Sequence, residues 1–313
     1  MKLNNILPIF TLALVVTACQ FQTPASIPAS PTILPITDTV LAPVPTDTPV
    51  PTTASGLTMD MLRNGTDFAP FYSRMVKLVN GTSSEGSGTD LYSVQVLDTV
   101  TFGDLNGDGV KDAAILLAES GGGSGDFESV VAILDKGGTP SQAGQVQLGD
   151  RVRINSLAID SGTIKLDTLV QGPCDPMCCP SLSETQSFRL VGNTLWLTHL
   201  SSRTPDDHDR SITITAPADG SSVTNPFTIN GSVTIAPFEN TLAYRIFLPD
   251  ATKVNESTLL VDSAGIAGGP GTFSQPFYLS NTGISGPIVL QILDRSAADG
   301  STLALDSIML TVH

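Results

Sequence analysis

The sequence predicts a mainly β protein, in which a β-rich α+β domain is followed by a β-sandwich. Turn-forming residues are abundant, with 28 Gly and 22 Pro among 313 residues, whereas aromatic residues make up only 5%. Short runs of alternating apolar and polar residues are separated by Gly, Asn and Asp. This rhythm is typical of antiparallel β structure rather than of a helical bundle.

The charge balance excludes one large class of partners. The chain carries 30 acidic and 15 basic residues, for a formal net charge of −15. Binding to phosphate backbones needs clustered Lys and Arg side chains. We therefore expect no nucleic-acid partner.

The first 18 residues have the pattern of a secretory signal peptide. Lys2 supplies one positive charge, an apolar run follows from Ile6 to Val16, and small residues precede Cys19. The apolar run is too short for a membrane-spanning helix. Residues 1–18 are therefore expected to direct the chain out of the cytoplasm.

The tetrapeptide Val16-Thr17-Ala18-Cys19 resembles the bacterial lipobox. This resemblance implies that Cys19 becomes the lipidated first residue of the mature protein, held at the membrane and cell surface. An accidental cysteine after a plain signal peptide is the alternative.

Pro, Thr, Ala and Ser dominate residues 19–55, so this segment is expected to be an extended spacer. The remaining length suits two domains of ordinary size, residues 56–202 and 211–313. The polar stretch SSRTPDDHDR, Ser201–Arg210, marks the expected boundary between them.

The first domain is predicted to open with one short helix, Leu57–Asn64, and to continue as antiparallel β structure. Its predicted strands are Tyr92–Thr99, Asp112–Ala118, Ser129–Asp135, Gln145–Leu148, Ile154–Ile159, Thr163–Leu169, Gln186–Leu190 and Thr194–Thr198.

Residues 211–313 have the size and rhythm of an immunoglobulin-like sandwich, about 100 residues with about seven strands. They contain no cysteine, so no disulfide links the two sheets. The predicted strands are SITITAP, PFTINGSVT, TLAYRIFLP, GTFSQPFYLS, GPIVLQILDRS and DSIMLTVH.

A more specific pattern runs through the same region: ITAPADGSSVTNPFTINGSV, then FEN at Phe238–Asn240, then GPGTFSQPFYL and DRSAADGS. In order and spacing these pieces resemble Gmad2, the immunoglobulin-like domain associated with bacterial spore germination proteins. The resemblance implies an immunoglobulin-like fold and an interaction role outside the cytoplasm, and it brings no catalytic residues.

The sharpest chemical signal is FGDLNGDGVKDAAILL, residues 102–117. Alternate side chains in a tight loop can converge on one centre, and Ca²⁺ prefers six to eight oxygen ligands. The candidate ligands are the side chains of Asp104, Asn106, Asp108 and Asp112 and the carbonyl of Val110. A bound Ca²⁺ would be structural.

An EF-hand is excluded because Ile115, not Glu, stands at the twelfth position of this loop. The spacing resembles the strand-flanking calcium loops of FG-GAP type, but a single copy excludes a propeller. An ordinary polar turn without metal stays open, because NGDG is a favoured turn sequence. Catalysis needs two carboxylates in unlike environments, which this hydrophilic loop does not suggest.

The glycine-rich segment Ser120–Gly125 lacks the Lys-Ser/Thr ending of a phosphate-binding loop. We expect a flexible hairpin loop beside the calcium loop instead.

Three further cysteines, Cys174, Cys178 and Cys179, lie within GPCDPMCCP. Outside the cytoplasm a disulfide is expected, either from Cys174 to one of the other two or between the adjacent pair. Zinc binding and redox chemistry are disfavoured because no histidine is nearby in the sequence.

FGDLNGDGVKDAAILL, LGDRVRINSLAI and GPCDPMCCPSL together resemble an uncharacterised β-rich domain of secreted and lipid-anchored bacterial proteins. We expect a non-enzymatic surface lipoprotein with a structural calcium site, which binds an envelope polymer or protein. The alternatives are an accessory or inhibitor of an envelope enzyme, or a hydrolase with its active site in residues 56–202.

Overall fold

The computed structural model describes residues 56–69, 71–173, 175–279 and 284–313. The predicted signal peptide, Cys19 and the spacer lie outside these residues, as does Cys174. Within the described ranges, no helix is long and apolar enough to span a bilayer.

Residues up to 203 contain one helix, α1 (Met59–Arg63), a single 3₁₀ turn and twelve strands among the described positions. The strands are β1 (Thr66–Ala69), β2 (Arg74–Lys77), β3 (Thr82–Glu85), β4 (Tyr92–Val96), β5 (Thr101–Gly103), β6 (Asp112–Ser120), β7 (Phe127–Asp135), β8 (Pro140–Asp150), β9 (Arg153–Asp160), β10 (Thr163–Val170), β11 (Leu182–Val191) and β12 (Thr194–Arg203).

The described residues after 203 are organised as further strands and a 3₁₀ turn at Phe238–Asn240. The strands are β13 (Asp209–Arg210), β14 (Ile212–Ala216), β15 (Ser222–Val223), β16 (Phe227–Val233), β17 (Thr241–Phe247), β18 (Lys253–Leu260), β19 (Gly271–Phe277), β20 (Gly286–Arg295) and β21 (Thr302–Val312).

The predicted fold class is confirmed, since the described chain is mostly antiparallel β structure with an immunoglobulin-like C-terminal part. Helix α1 lies within the predicted helical segment. The Thr58 hydroxyl accepts a hydrogen bond from the Met61 amide at its N-terminus. Leu62 is the buried residue of this helix.

Strand β6 forms the centre of the first part because its sequence is apolar on both faces. It lies between β4 and β7 in a six-stranded sheet, with β5 paired to its first residues. Ala113, Ile115 and Leu117 enter one hydrophobic core, whereas Ala114 and Leu116 enter a second. The two cores fix β6, and therefore hold the end of the Asp104–Asp112 loop.

A ten-stranded sheet joins the regions on either side of the predicted boundary. Eight of its strands run in the order β18-β17-β20-β21-β12-β11-β10-β9, while β13 pairs with β12 and β15 with β21. Strand β12 pairs with β21 through His199 with Asp306 and Leu200 with Leu305. The described residues, from 56 onwards, accordingly belong to one compact unit.

The stretch from Ser201 to Arg210 contributes to this junction. Strand β12 extends to Arg203, and β13 folds back to pair with it. Arg210 Nη1 lies 2.8 Å from Oδ2 of the buried carboxylate of Asp294. The Ser202 hydroxyl donates to the Leu303 carbonyl at 2.6 Å.

The C-terminal sandwich packs the sheet β14-β16-β19 against β17, β20 and β21. Ile229 and Phe273 from the smaller sheet share one core with Leu242, Ile246 and Leu290. Along β16 and β19, buried residues alternate with more exposed ones, which matches the sequence pattern that predicted the sandwich.

Candidate functional sites

The loop from Asp104 to Asp112 connects β5 to β6, and Asp104 organises its first half. One carboxylate oxygen, Oδ1, accepts hydrogen bonds from the amides of Asn106 at 3.2 Å and Gly107 at 2.7 Å. The other, Oδ2, accepts from the Gly109 amide at 2.8 Å. Asp104 therefore caps the turn with both oxygens.

Asn106 and Asp108 hold the second half of the loop. Asn106 Oδ1 accepts from the Asp108 amide at 3.0 Å, and its Nδ2 donates to Asp108 Oδ2 at 2.9 Å. Asp108 Oδ1 accepts from the Val110 amide at 2.8 Å. Gly107 has a φ of 80°, in the left-handed region that favours glycine.

Asp112 is the interior member of the loop, with 0% of its surface exposed. Its Oδ2 accepts from the Leu105 amide and its Oδ1 from the Asp135 amide, both at 2.9 Å. Burial raises the pKa of this carboxyl; the two amide hydrogen bonds act against the rise, and the charges of Asp108 and Asp104 add to it.

The described residues contain no cluster of three or more His, Cys, Asp or Glu side chains arranged to hold a metal ion. The oxygens of Asp104, Asn106 and Asp108 contact backbone amides of the loop, and those of Asp112 contact amides in the interior. This geometry is that of a turn held by its own side chains.

Ser120–Gly125 lies between the antiparallel strands β6 and β7, as a hairpin loop. It does not lie beside the Asp104–Asp112 loop, because the two loops join opposite ends of the nine-residue strand β6. At about 3.4 Å per residue in an antiparallel strand, β6 separates them by roughly 27 Å. The expectation that the loops are neighbours was wrong.

Among the described cysteines, Cys178 and Cys179 are bonded to each other, which is the adjacent pairing. Asp175 organises the same loop, since its carboxylate accepts hydrogen bonds from the amides of Gly172 and Ser181 and from the Ser181 hydroxyl.

Buried glutamates have structural roles that the sequence did not indicate. The Glu119 carboxylate accepts hydrogen bonds from the amides of Phe71 and Tyr72, at 2.9 and 3.1 Å, and these bonds fix the turn before β2. Glu128 accepts the Val152 amide at 2.7 Å, and burial raises its pKa to about 7. Both carboxylates have backbone partners and therefore a structural role.

Glu184 has a different environment. It lies on β11, is 6% exposed, and lines a cavity of about 450 Å³. Its Oε2 accepts a hydrogen bond from Gln186 Nε2 at 2.7 Å. Burial raises the pKa of Glu184 to about 7, and this hydrogen bond acts against the rise.

The sequence does contain a signal for this position. Leu182, Glu184, Gln186 and Phe188 alternate along one strand, so all four side chains belong to one face. Two polar residues in phase with buried apolar neighbours mark an interior polar site.

A second cavity, of about 620 Å³, lies where the loop after β10 meets the ends of β11 and β12. Its charged side chains are already paired. Arg203 contacts Asp207, Arg210 contacts Asp294, and Asp175 accepts the loop amides described above. This cavity therefore offers no uncompensated charge to a ligand.

Comparison with known families identifies one region. A family model described as Gmad2, the immunoglobulin-like domain of bacterial spore germination, matches residues 211–301. The predicted Gmad2 resemblance is thereby confirmed for the C-terminal part. No curated protein matches the chain.

Proposed function

We propose that this chain is a non-enzymatic lipoprotein of the bacterial cell surface, which binds an envelope polymer or protein. Its lipid would be carried by Cys19, and residues 19–55 would hold the folded unit away from the membrane. The observation that carries the proposal is the Gmad2 immunoglobulin-like domain at residues 211–301, which belongs to no known catalytic family.

The shared sheet supports a binding role for the whole folded unit. The pairing of β12 with β21 makes one continuous sheet of strands from both regions. The ion pair of Arg210 with the buried Asp294 carboxylate lies beside this junction. A surface that spans both regions can therefore present its groups in a fixed arrangement to one partner.

We further propose that the Asp104–Asp112 loop holds a structural Ca²⁺. The candidate donors are all oxygens, the type of ligand that Ca²⁺ prefers. Burial raises the pKa of Asp112, and the negative charges of Asp104 and Asp108 add to the rise. No Lys or Arg among the described residues forms an ion pair with Asp104, Asp108 or Asp112. Ca²⁺ would supply the missing positive charge, held by Asp104, Asn106, Asp108, Asp112 and the Val110 carbonyl.

Calcium is expected to raise the melting temperature of residues 49–313 and to bind with measurable heat. At a concentration of one hundred times Kd, binding adds about 2.7 kcal/mol to stability, which corresponds to roughly 5–10 °C for a unit of this size. The Asp108→Ala variant should lose both the heat and the shift. Calorimetry and thermal melting with and without Ca²⁺ make the comparison.

Asp250→Ala is the matched control, because Asp250 caps the Thr252 amide in a turn outside this loop. It should keep the full calcium response. If millimolar Ca²⁺ gives neither heat nor a shift with the unaltered chain, the loop is a polar turn and the calcium proposal fails.

A hydrolase in the first region is the second candidate, favoured by the cavity that contains both Asp150 and Glu184. A carboxyl with a pKa near 7 suits a general acid. Asp150, however, is bonded to Arg151 and to the Asp126 amide. Release of soluble products from isolated envelopes, lost in Glu184→Gln, would establish this activity.

A further inference from the structure

The cavity at Glu184 has an unbalanced negative charge. Its charged lining residues are Asp150 and Glu184, and no Lys, Arg or His is among the described residues that line it. Asp150 Oδ2 lies 2.8 Å from Arg151 Nη1, so its charge is offset. Glu184 has only the neutral amide of Gln186 as a side-chain partner.

One oxygen of Glu184 is available to a ligand. Gln186 Nε2 donates to Oε2, whereas Oε1 has no hydrogen-bond partner in the part of the chain that the structure describes. Gln186 is itself buried, with 5% of its surface exposed. Burying a carboxylate costs free energy unless it is paired, and this one lacks a positive partner.

The rest of the lining is mainly apolar. Leu148, Phe188 and Leu197 line the cavity beside Glu184. The exposed side chain of Met177 also lines it, and the Met177 carbonyl accepts a hydrogen bond from Arg151 Nη1 at 2.9 Å. A volume of about 450 Å³ is within the range of small-molecule sites.

We infer that this cavity binds a small organic cation, with an apolar body against these side chains and an ammonium group that donates to Glu184 Oε1. An organic anion would be repelled by the Glu184 carboxylate, and a metal ion would lack further ligands. The inference goes beyond the proposed function, because it requires neither the envelope partner nor the calcium loop.

The pKa of Glu184 agrees with such a ligand. Burial without a cation raises this pKa to about 7, and a bound ammonium group would favour the charged carboxylate again. At pH 8 the carboxylate is mostly charged before the ligand arrives.

The test is an NMR titration of ¹⁵N-labelled residues 49–313 at pH 8 with benzylamine, benzyl alcohol and benzoate. Benzylamine should give saturable shifts at the amides of Glu184 and Gln186. Benzyl alcohol should bind more weakly, and benzoate should give no saturable shift. Glu184→Gln should weaken benzylamine binding about tenfold or more, because a hydrogen bond between charged groups is lost.

Glu128→Gln is the matched control, since Glu128 is also a buried glutamate with a pKa of about 7 but does not line the cavity. It should leave the benzylamine affinity unchanged. Equal affinity for benzylamine and benzoate, no saturable benzylamine binding, or equal loss in both variants would overturn the inference. The three probes on the unaltered chain keep the test valid if Glu184→Gln does not fold.

Discussion

Replacing Asp112 with alanine is expected to lower the free energy of unfolding by about 3–5 kcal/mol in the absence of calcium. The substitution leaves the amides of Leu105 and Asp135 without their acceptors in the interior. Each buried unsatisfied amide costs about 1–3 kcal/mol, and the lost side chain leaves a small void besides. Denaturant unfolding of residues 49–313 in the presence of a chelator measures this effect.

Asp108→Ala is the comparison within the same loop. Asp108 bonds to the Val110 amide and the Asn106 side chain at the exposed surface, where water can replace both bonds. Without calcium, Asp108→Ala should lower the free energy of unfolding by less than about 1 kcal/mol. If Asp112→Ala costs no more than Asp108→Ala under these conditions, the interior role of Asp112 is wrong.

Glu184→Gln is expected to stabilise the protein at pH 8 and to have little effect at pH 4.5. The folded pKa of Glu184 is about 7, raised by burial from 4.5, so the folded state holds this proton more tightly. The contribution of the protonated Glu184 carboxyl to the free energy of unfolding is therefore fully present below pH 4.5, and it is lost as the pH rises through 7. Because Glu184→Gln removes the buried charge, it should raise the free energy of unfolding at pH 8 by up to about 3 kcal/mol.

The matched comparison is Glu256→Gln, for which the sign is opposite. Hydrogen bonds from Lys253 and Arg245 lower the pKa of Glu256 to about 2, so its stabilisation is present at pH 8. This exposed variant should be destabilised at pH 8. Melting curves from pH 4 to pH 8 test both variants. Equal stability of Glu184→Gln and the unaltered chain at both pH values would show that Glu184 is not buried as described.

Strands and turns that depend only on the local sequence pattern could be predicted. AAILLA is apolar at every position, so it can only be a strand or helix buried on both sides, and its Asp-Asn-Gly neighbour marks a turn. Strand β6 and the loop before it follow from this. Strands β1 to β3 were missed because their short sequences lack a regular apolar alternation.

Other features depend on contacts between distant residues. The pairing of His199 with Asp306 joins strands more than one hundred positions apart, and no local signal marks it. Asp104 and Asp112 belong to the same motif, but only packing by β5 and β7 places Asp112 inside. The alternation that places Glu184 and Gln186 on one face of β11 is visible in the sequence. Only the structure shows that no Lys, Arg or His among the described residues lines the cavity with Glu184.

The most direct test of the proposed function is sedimentation of residues 49–313 with isolated bacterial cell envelopes, followed by analysis of the supernatant for released sugars and peptides. The proposal predicts saturable retention on the envelopes with no released product, for the unaltered chain and for Glu184→Gln alike. Absence of saturable retention, or products that the unaltered chain releases and Glu184→Gln does not, would contradict a non-enzymatic binding protein.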